Sequence, residues 1–200
     1  LFLAANPATT DRLALDREAR AIHVELKRSG YRDRFDFQTR WAAEPLDLLR
    51  EVRELKPTVV HFSGHGGWAP GTTGSIRGRD IVGEVTPSDS DVRGLAFHDA
   101  ADGAQMVPSE AIAQALAAAG PSVRLVVLNA CFTDPMADTL LGHVDCVVGM
   151  NGAIHDDAAR AFAVGFYGGL GEYESIAVAF AQGRAAIGLE GLPDAEHPQL

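Results

Sequence analysis

The chain has few cysteines and no long apolar run. Only Cys131 and Cys146 occur among its 200 residues, and neither lies in the CxxC or CxxH spacing of a zinc site. Two such cysteines do not suggest a disulfide framework, so a reducing, cytoplasmic setting fits best. No apolar run approaches the roughly 18 residues that span a bilayer, and no signal-peptide pattern is present. We therefore expect a cytoplasmic domain that is stabilised by its core.

Basic residues are also in the minority. The sequence contains 17 Lys and Arg against 27 Asp and Glu, which gives a formal net charge of −10. Affinity for phosphate backbones comes from clustered Lys and Arg, so this balance argues against nucleic acid and anionic membranes as partners. The length suits one domain with a sizeable core, which we place at residues 1–190, followed by a C-terminal tail at 191–200. The sequence begins without Met inside an apolar run, so we expect it to be part of a longer protein.

Apolar runs of strand length alternate with helical patterns along the chain. This order is typical of βαβ units, and it predicts an α/β domain with a mainly parallel central sheet of about six strands. A hairpin is expected at 94–107, and the Gly-, Ser- and Asp-rich stretch at 68–93 is expected to be a long exposed loop. The predicted strands cover 1–5, 35–40, 58–63, 123–131 and 144–150, and the predicted helices cover about 11–29, 45–56, 108–120, 135–141, 157–170 and 175–187.

Reactive side chains follow two of the predicted strands. His65 stands between glycines after VVHFSG, and Cys131 closes VVLNAC. Ligands and catalytic groups gather at the carboxyl ends of strands in α/β sheets, so neighbouring strands would place the imidazole and the thiol in one cleft. That arrangement meets the minimal requirement for a nucleophile and its base. The backbone N–H groups of Gly66 and Cys131 are candidate oxyanion donors.

The same segments resemble a known family. HFSGHG and LNAC, together with LFLAANP at the start and VGMNGAIHDDAARAFAVGFYGG near the end, are similar to bacterial CHAT domains that accompany effector-associated adaptor domains. The resemblance implies a caspase-like three-layer α/β/α sandwich of the caspase, separase and gingipain clan. It also implies a peptide-bond hydrolase that uses His65 and Cys131 as a dyad without a metal. A role in bacterial defence or cell-death signalling is implied as well, on one or a few protein targets, with an adaptor or activating domain as partner.

Three residues are candidates for the substrate pocket. By the resemblance, the residue two before the nucleophile helps to line it, and here that residue is Asn129, where several Arg- or Lys-cleaving relatives carry Asp. Asn151 follows the next predicted strand. Asp156 matches an acidic position that recurs in the family, but its place at the start of a predicted helix favours an N-cap. The many carboxylates tilt the expected preference slightly toward a basic residue before the cut.

Other interpretations of the sequence remain open. The scaffold is compatible with a catalytically silent domain that binds signalling partners, and the same dyad suits a small-molecule acyl transferase or hydrolase. A flavodoxin-like or nucleotide-binding domain is disfavoured, because no GxGxxG or GxxxxGK[ST] motif follows a strand. His61 and His65 have the spacing of a zinc helix but lie on a strand and a turn, so His61 is expected to be a packed histidine. We expect neither a metal nor a cofactor.

Overall fold

A computed structural model describes residues 1–69 and 92–200 of the chain. In these ranges the strands are β1 (Phe2–Ala5), β2 (Thr39–Arg40), β3 (Val59–Gly64), β4 (Gly66–Ala69), β5 (Val92–His98), β6 (Ala104–Pro108), β7 (Leu125–Asn129), β8 (Cys146–Met150) and β9 (Pro198–Gln199). The helices are α1 (Leu15–Arg28), α2 (Pro45–Leu55), α3 (Ser109–Ala119), α4 (Ala137–Leu140), α5 (Asp156–Gly171) and α6 (Ile176–Leu189). None of the described helices is both long and apolar enough to span a membrane.

Six strands form the central sheet in the order β2-β1-β3-β7-β8-β9. The first five of these lie parallel to their neighbours, and only β9 runs antiparallel, against β8. The predicted mainly parallel sheet of about six strands is therefore confirmed. Parallel neighbours need crossover connections, and the helical patterns between the apolar runs supply them.

Helices cover both faces of this sheet. Strand residues alternate between two apolar cores: Leu3, Phe62 and Leu128 pack with α2, α3 and α4, whereas Phe2 and Val127 pack with α1, α5 and α6. The alternation follows from the period of two in a strand, and burial on both faces explains why the strands are nearly continuous apolar runs. The predicted three-layer α/β/α arrangement is confirmed.

A smaller antiparallel sheet, in the order β4-β5-β6, lies next to the central one. The predicted hairpin corresponds to β5 and β6, with Leu95 opposite Val107. The predicted loop at 68–93 is shorter than expected at both ends, because 66–69 and 92–98 are strands. Its remainder, residues 70–91, lies outside the described residues.

The expected second strand at 35–40 is mostly not a strand. Only Thr39 and Arg40 pair with β1, and a 3-10 turn at Arg32–Arg34 precedes them. A strand at the edge of a sheet exists only where it has a neighbour to bond, and β1 offers two positions here. The alternating residues Phe35 and Phe37 are partly buried, and their rings pack against the core, but their backbone does not pair with a neighbouring strand.

The expected C-terminal tail does not leave the domain. Residues Pro198 and Gln199 return as β9 and pair with the end of β8, and the N–H of Asn151 donates to the carbonyl of His197 at 2.7 Å. Asp194 accepts hydrogen bonds from both the backbone and the ring of His155. The segment is rich in Pro and Gly, which suggested a tail, but its polar groups find partners next to the carboxyl end of β8.

Candidate active site

The candidate nucleophile and base follow neighbouring strands. β3 pairs with β7 in parallel, and Ser63 lies opposite Asn129 in the register. His65 and Cys131 each stand two residues beyond this pair, so they leave the sheet at the same level and line one cleft. The alternation of side chains places them on the face of the sheet that α1 and α5 cover. The expectation that the two strands are neighbours is confirmed.

A backbone carbonyl orients the ring of His65. The side chain is buried, and its Nε2 lies 2.8 Å from the carbonyl oxygen of Asp11. A carbonyl only accepts hydrogen bonds, so Nε2 carries the proton in the neutral ring and Nδ1 is the nitrogen that can accept one. Asp11 belongs to the segment between β1 and α1, because α1 begins at Leu15 instead of near residue 11 as the sequence predicts.

The environment of Cys131 raises the pKa of its thiol. Burial is the largest cause and the nearby charges of Asp156 and Asp194 add to it, whereas a backbone hydrogen bond at Ile154 lowers the pKa. The Sγ atom lies 3.9 Å from the carbonyl oxygen of Ile154, to which the S–H group donates a weak hydrogen bond. A thiolate is the stronger nucleophile, so attack by this sulfur requires a base that removes the proton as the new bond forms.

The turn after β7 holds the thiol in place. Phe132 adopts a left-handed conformation with φ of 57°, which is unusual for a bulky residue, and its N–H donates to the carbonyl of Gly152 at 2.9 Å. The hydroxyl of the fully buried Thr133 lies 2.9 Å from the carbonyl oxygen of Ala130 and accepts from the N–H of Met150 at 3.0 Å. These bonds stabilise a strained turn directly after Cys131, a pattern that clusters at functional sites.

Gly66 packs against the backbone of Cys131. A Cβ atom at this position would lie 2.4 Å from the carbonyl oxygen of Cys131 and 2.9 Å from the Cγ2 of Thr133. The turn that carries His65 therefore approaches the turn that carries Cys131 more closely than any side chain allows. Glycine is required at position 66 because the two turns meet there, a reason that the sequence alone does not reveal.

A cluster of polar side chains lies beneath the cleft, on the same face of the sheet. The polar cluster consists of Glu18 from α1, His61 and Ser63 from β3, Asn129 from β7 and Tyr167 from α5. Glu18 is at its centre: its carboxylate accepts from His61 Nε2 at 2.9 Å, from Ser63 Oγ at 2.5 Å and from Asn129 Nδ2 at 2.5 Å. All five side chains are buried.

His61 is the packed histidine that the sequence predicts. Its Nδ1 lies 3.0 Å from the hydroxyl of Tyr167, and its Nε2 bonds Glu18. Burial and the charge of Glu18 raise the pKa of Tyr167, so its hydroxyl keeps its proton and donates to Nδ1. Both ring nitrogens of His61 are thus used inside the core.

The predicted pocket residues are placed differently from one another. Asn129 lines the cleft, and its Nδ2 donates to Glu18 and to the carbonyl of Ala159. Asp156 also lines the cleft, but it is the first residue of α5 rather than its N-cap, which is His155. Its carboxylate accepts from the N–H of Ala14, just before α1. Asn151 is exposed and lies outside the cleft lining.

Two contributors to this site are absent from the sequence-based prediction. Asp11 acts through its backbone carbonyl, which leaves no trace in the side-chain pattern. Glu18 does leave one, because it falls on the apolar stripe of α1 that Leu15, Ala19 and Ile22 define. A charged residue on a buried stripe is rare unless it is paired, and that rule identifies Glu18 as a residue with partners.

Comparison with known proteins supports the family suggested by the motifs. The family model described as the CHAT domain matches residues 4–197, a range that includes both turns of the site and ends just before β9. No curated protein matches the chain. The matched range covers nearly all of the α/β sandwich, which has a caspase-like fold. The protein therefore belongs to the CHAT domain family.

Proposed function

We propose that this domain is a cysteine endopeptidase in which Cys131 is the nucleophile and His65 the general base. One observation carries the proposal: the two residues leave neighbouring strands at the same level and line one cleft. The hydrogen bond from Nε2 of His65 to the Asp11 carbonyl leaves Nδ1 as the basic nitrogen of the ring. The caspase-like fold of the family adds to this support.

The proposed reaction divides peptide hydrolysis into two steps. Nδ1 of His65 takes the thiol proton while Sγ of Cys131 bonds to the scissile carbonyl carbon, and the imidazolium then protonates the leaving amine as the C–N bond breaks. In the second step, His65 takes a proton from water as the water oxygen bonds to the thioester carbon. The C–S bond then breaks, and the thiolate recovers its proton from the imidazolium.

The backbone N–H groups of Gly66 and Cys131 are the proposed donors to the oxyanion that forms in both steps. Preorganised donors of this kind stabilise the developing charge by several kcal/mol in a water-poor site. The proposal is supported by the contact between Gly66 and the Cys131 carbonyl, which keeps the two backbone segments next to each other.

We further propose that the enzyme is restrained until an adaptor domain or partner activates it, and that it cuts one or a few proteins in bacterial defence or cell-death signalling in the cytoplasm. The thiol of Cys131 supports restraint, because burial raises its pKa and its Sγ lies within weak hydrogen-bond distance, 3.9 Å, of the carbonyl oxygen of Ile154. A partner that shifts the 151–156 segment would remove this hydrogen bond and release the S–H group to the imidazole.

The test compares new protein N-termini in host-cell lysate after incubation with wild type, with Cys131→Ala and with Cys146→Ala. Termini that appear with wild type and Cys146→Ala, but not with Cys131→Ala, support a protease and assign its nucleophile. The Cys146 variant is a matched control, because it removes the other thiol of the chain. Termini that are the same with all three proteins, even when the natural partner is added, refute the proposal for this domain.

A catalytically silent scaffold is the second candidate function. The observation that favours it is the same resting thiol, whose S–H bonds a carbonyl in place of the imidazole. The scaffold predicts that Cys131→Ala changes no cleavage even when the natural partner is present. Repeating the N-terminal mapping with the partner therefore separates a restrained enzyme from a silent one.

A further inference from the structure

Asn6 leaves the central sheet next to the candidate active site. Ala5 is the last residue of β1, and it lies opposite Gly64 of β3 in the parallel register. Asn6 and His65 come directly after this pair, so they leave neighbouring strands at the same level. Asn6 belongs to the LFLAANP segment, to which the proposed reaction assigns no chemistry. Its position beside the proposed base suggests a role there.

The side-chain amide of Asn6 bonds two backbone groups of the segment that precedes α1. Its Nδ2 donates to the carbonyl oxygen of Asp11 at 2.9 Å, and its Oδ1 accepts from the N–H of Leu13 at 3.1 Å. These partners fix the orientation of the amide, because the reverse orientation would set its oxygen against the Asp11 carbonyl and its nitrogen against the Leu13 N–H. One planar group therefore holds a carbonyl and an N–H that are two residues apart.

The carbonyl that Asn6 holds is the one that orients the ring of His65. The oxygen of Asp11 lies 2.9 Å from Nδ2 of Asn6 and 2.8 Å from Nε2 of His65. A backbone carbonyl oxygen has two lone pairs, so it accepts both hydrogen bonds at once. Two consecutive hydrogen bonds thus connect the amide of Asn6 to the proposed base.

Neither a strand nor a helix contains the Asp11 carbonyl. Residues 6–14 lie between β1 and α1, and Asp11 is exposed. Asn6, by contrast, is anchored in the fold, since Ala5 is paired in the sheet and the N–H of Asn6 donates to Nε2 of the buried His98 at 3.1 Å. The amide of Asn6 therefore ties a loop carbonyl to the rigid end of the sheet.

We propose that Asn6 is a positioning residue, which fixes the Asp11 carbonyl and thereby the orientation of the His65 ring. The effect on rate rests on the proposed peptidase function. While the carbonyl holds Nε2–H, Nδ1 keeps its lone pair for the thiol proton of Cys131. A carbonyl that moves releases the ring, which then spends less time in the reactive orientation. Asn6 lies outside the lining that the structure describes for the cleft, so the loss falls on kcat rather than on KM.

Asn6→Asp tests this role. The variant keeps the shape of the side chain and the acceptor for the Leu13 N–H, but an acceptor replaces the donor that faces the Asp11 carbonyl. For a peptide identified by the N-terminal mapping, we expect kcat to fall by about tenfold or more at an unchanged KM. Asn6→Ala, which removes both hydrogen bonds, should lower kcat at least as much. A wild-type kcat in both variants, or a change in KM alone, would overturn the assignment.

Gln114→Glu is the matched control for the change from amide to carboxylate. Gln114 is exposed on α3, a helix that packs on the other face of the central sheet. The control adds the same charge as Asn6→Asp and should leave kcat and KM unchanged. All proteins are compared well below the midpoint of unfolding, so that a loss of kcat is not a loss of folded protein.

A second measurement reports on the ring directly and needs no catalysis. The proton on Nε2 of His65 is held 2.8 Å from its acceptor in a buried side chain, so proton NMR should show a ring N–H signal that is absent in His65→Gln. We expect this signal to exchange with water at least about tenfold faster in Asn6→Asp, and at the wild-type rate in Gln114→Glu. Equal exchange in wild type and Asn6→Asp, or no such signal in wild type, would overturn the assignment.

The two measurements separate this inference from the proposed function. Faster exchange in Asn6→Asp, in a domain that cleaves nothing even with its natural partner, supports the positioning of the ring and rejects the peptidase. Cleavage that needs Cys131 but proceeds with the same kcat in wild type, Asn6→Asp and Asn6→Ala supports the peptidase and rejects the role of Asn6.

Discussion

Replacing Gly66 with alanine tests whether the close contact between the two turns of the site is required. The added Cβ would lie 2.4 Å from the carbonyl oxygen of Cys131, where real contacts of this kind exceed 3.0 Å. The turns must therefore separate by about 0.6 Å or more, and the obstructing atom belongs to the backbone, so no side-chain rotation relieves the overlap. The displacement acts directly on the distance between His65 and Cys131.

We expect Gly66→Ala to lower kcat by about tenfold to a hundredfold, since a misplacement approaching 1 Å costs about that much in a preorganised site. Overpacking of this kind also destabilises a fold by about 1–3 kcal/mol. Peptide hydrolysis measures the first effect and urea unfolding measures the second. Both are compared at a temperature well below the midpoint of unfolding, so that loss of activity is not loss of folded protein.

Gly188→Ala is the matched control. It lies in α6, and a Cβ at this position meets nothing within 4 Å, so alanine there should increase stability by up to about 1 kcal/mol through helix propensity and leave activity unchanged. If Gly66→Ala retains wild-type kcat and stability, the two turns are not coupled through this contact, and the argument for a fixed distance between nucleophile and base fails.

Three further predictions concern the buried and charged groups around the site. Glu18→Ala removes the acceptor of three buried donors and should destabilise the domain by about 3 kcal/mol in urea unfolding; a loss below about 1 kcal/mol would contradict the central role of this carboxylate. Asp156→Asn removes a charge that, after burial, contributes to the raised pKa of the Cys131 thiol. Alkylation of this thiol by iodoacetamide should therefore become faster at neutral pH, and an unchanged pH profile of alkylation would contradict this. Burial alone would raise the pKa of Asp194, but hydrogen bonds from the ring and backbone of His155 outweigh it and hold the pKa below its usual value. The stability from Asp194 is therefore present above the ordinary carboxyl pKa of about 3.9 and is lost as pH falls through the lowered folded value. The same hydrogen bond raises the pKa of His155. The stability that His155 contributes is therefore complete below pH of about 6.5, and it is lost as pH rises through the raised pKa of the folded state. Thermal melts across this pH range should lose both dependences in Asp194→Asn, and two slopes that persist would refute the pairing.

The sequence predicts the order of the main elements because each has a period of its own. Continuous apolar runs at β3 and β7 require burial on both faces, and the amphipathic pattern of α1 requires one buried stripe. The sequence over-extended the two-residue strand β2 and missed the two-residue strand β9, because a pairing of two residues carries no period of its own. Their pairing depends on neighbours that are distant in the chain.

Some residues of the site can likewise be predicted from the sequence, and others cannot. His65 and Cys131 are predictable because each follows a strand in a distinctive local motif. The apolar stripe of α1 marks Glu18 as a residue that needs partners, but it does not identify them, because they lie 43, 45 and 111 residues away in the sequence. The role of the Asp11 carbonyl is harder still to predict from the sequence. Every residue has a backbone carbonyl, and only the path of the folded chain brings this one to His65.

The contacts of Glu18 also fix the position of α1 along the sheet. Apolar side chains tolerate sliding, and a shift of α1 by one turn, about 5.4 Å, would still bury aliphatic residues against β3 and β7. The three hydrogen bonds to Glu18 are directional and are satisfied at a single position of the helix. Because Asp11 lies only a few residues before α1, a helix held in register also holds the carbonyl that orients His65. The polar cluster thus aligns α1 with the sheet, and through the Asp11 carbonyl this alignment sets the orientation and the tautomer of the His65 ring just beyond the end of β3.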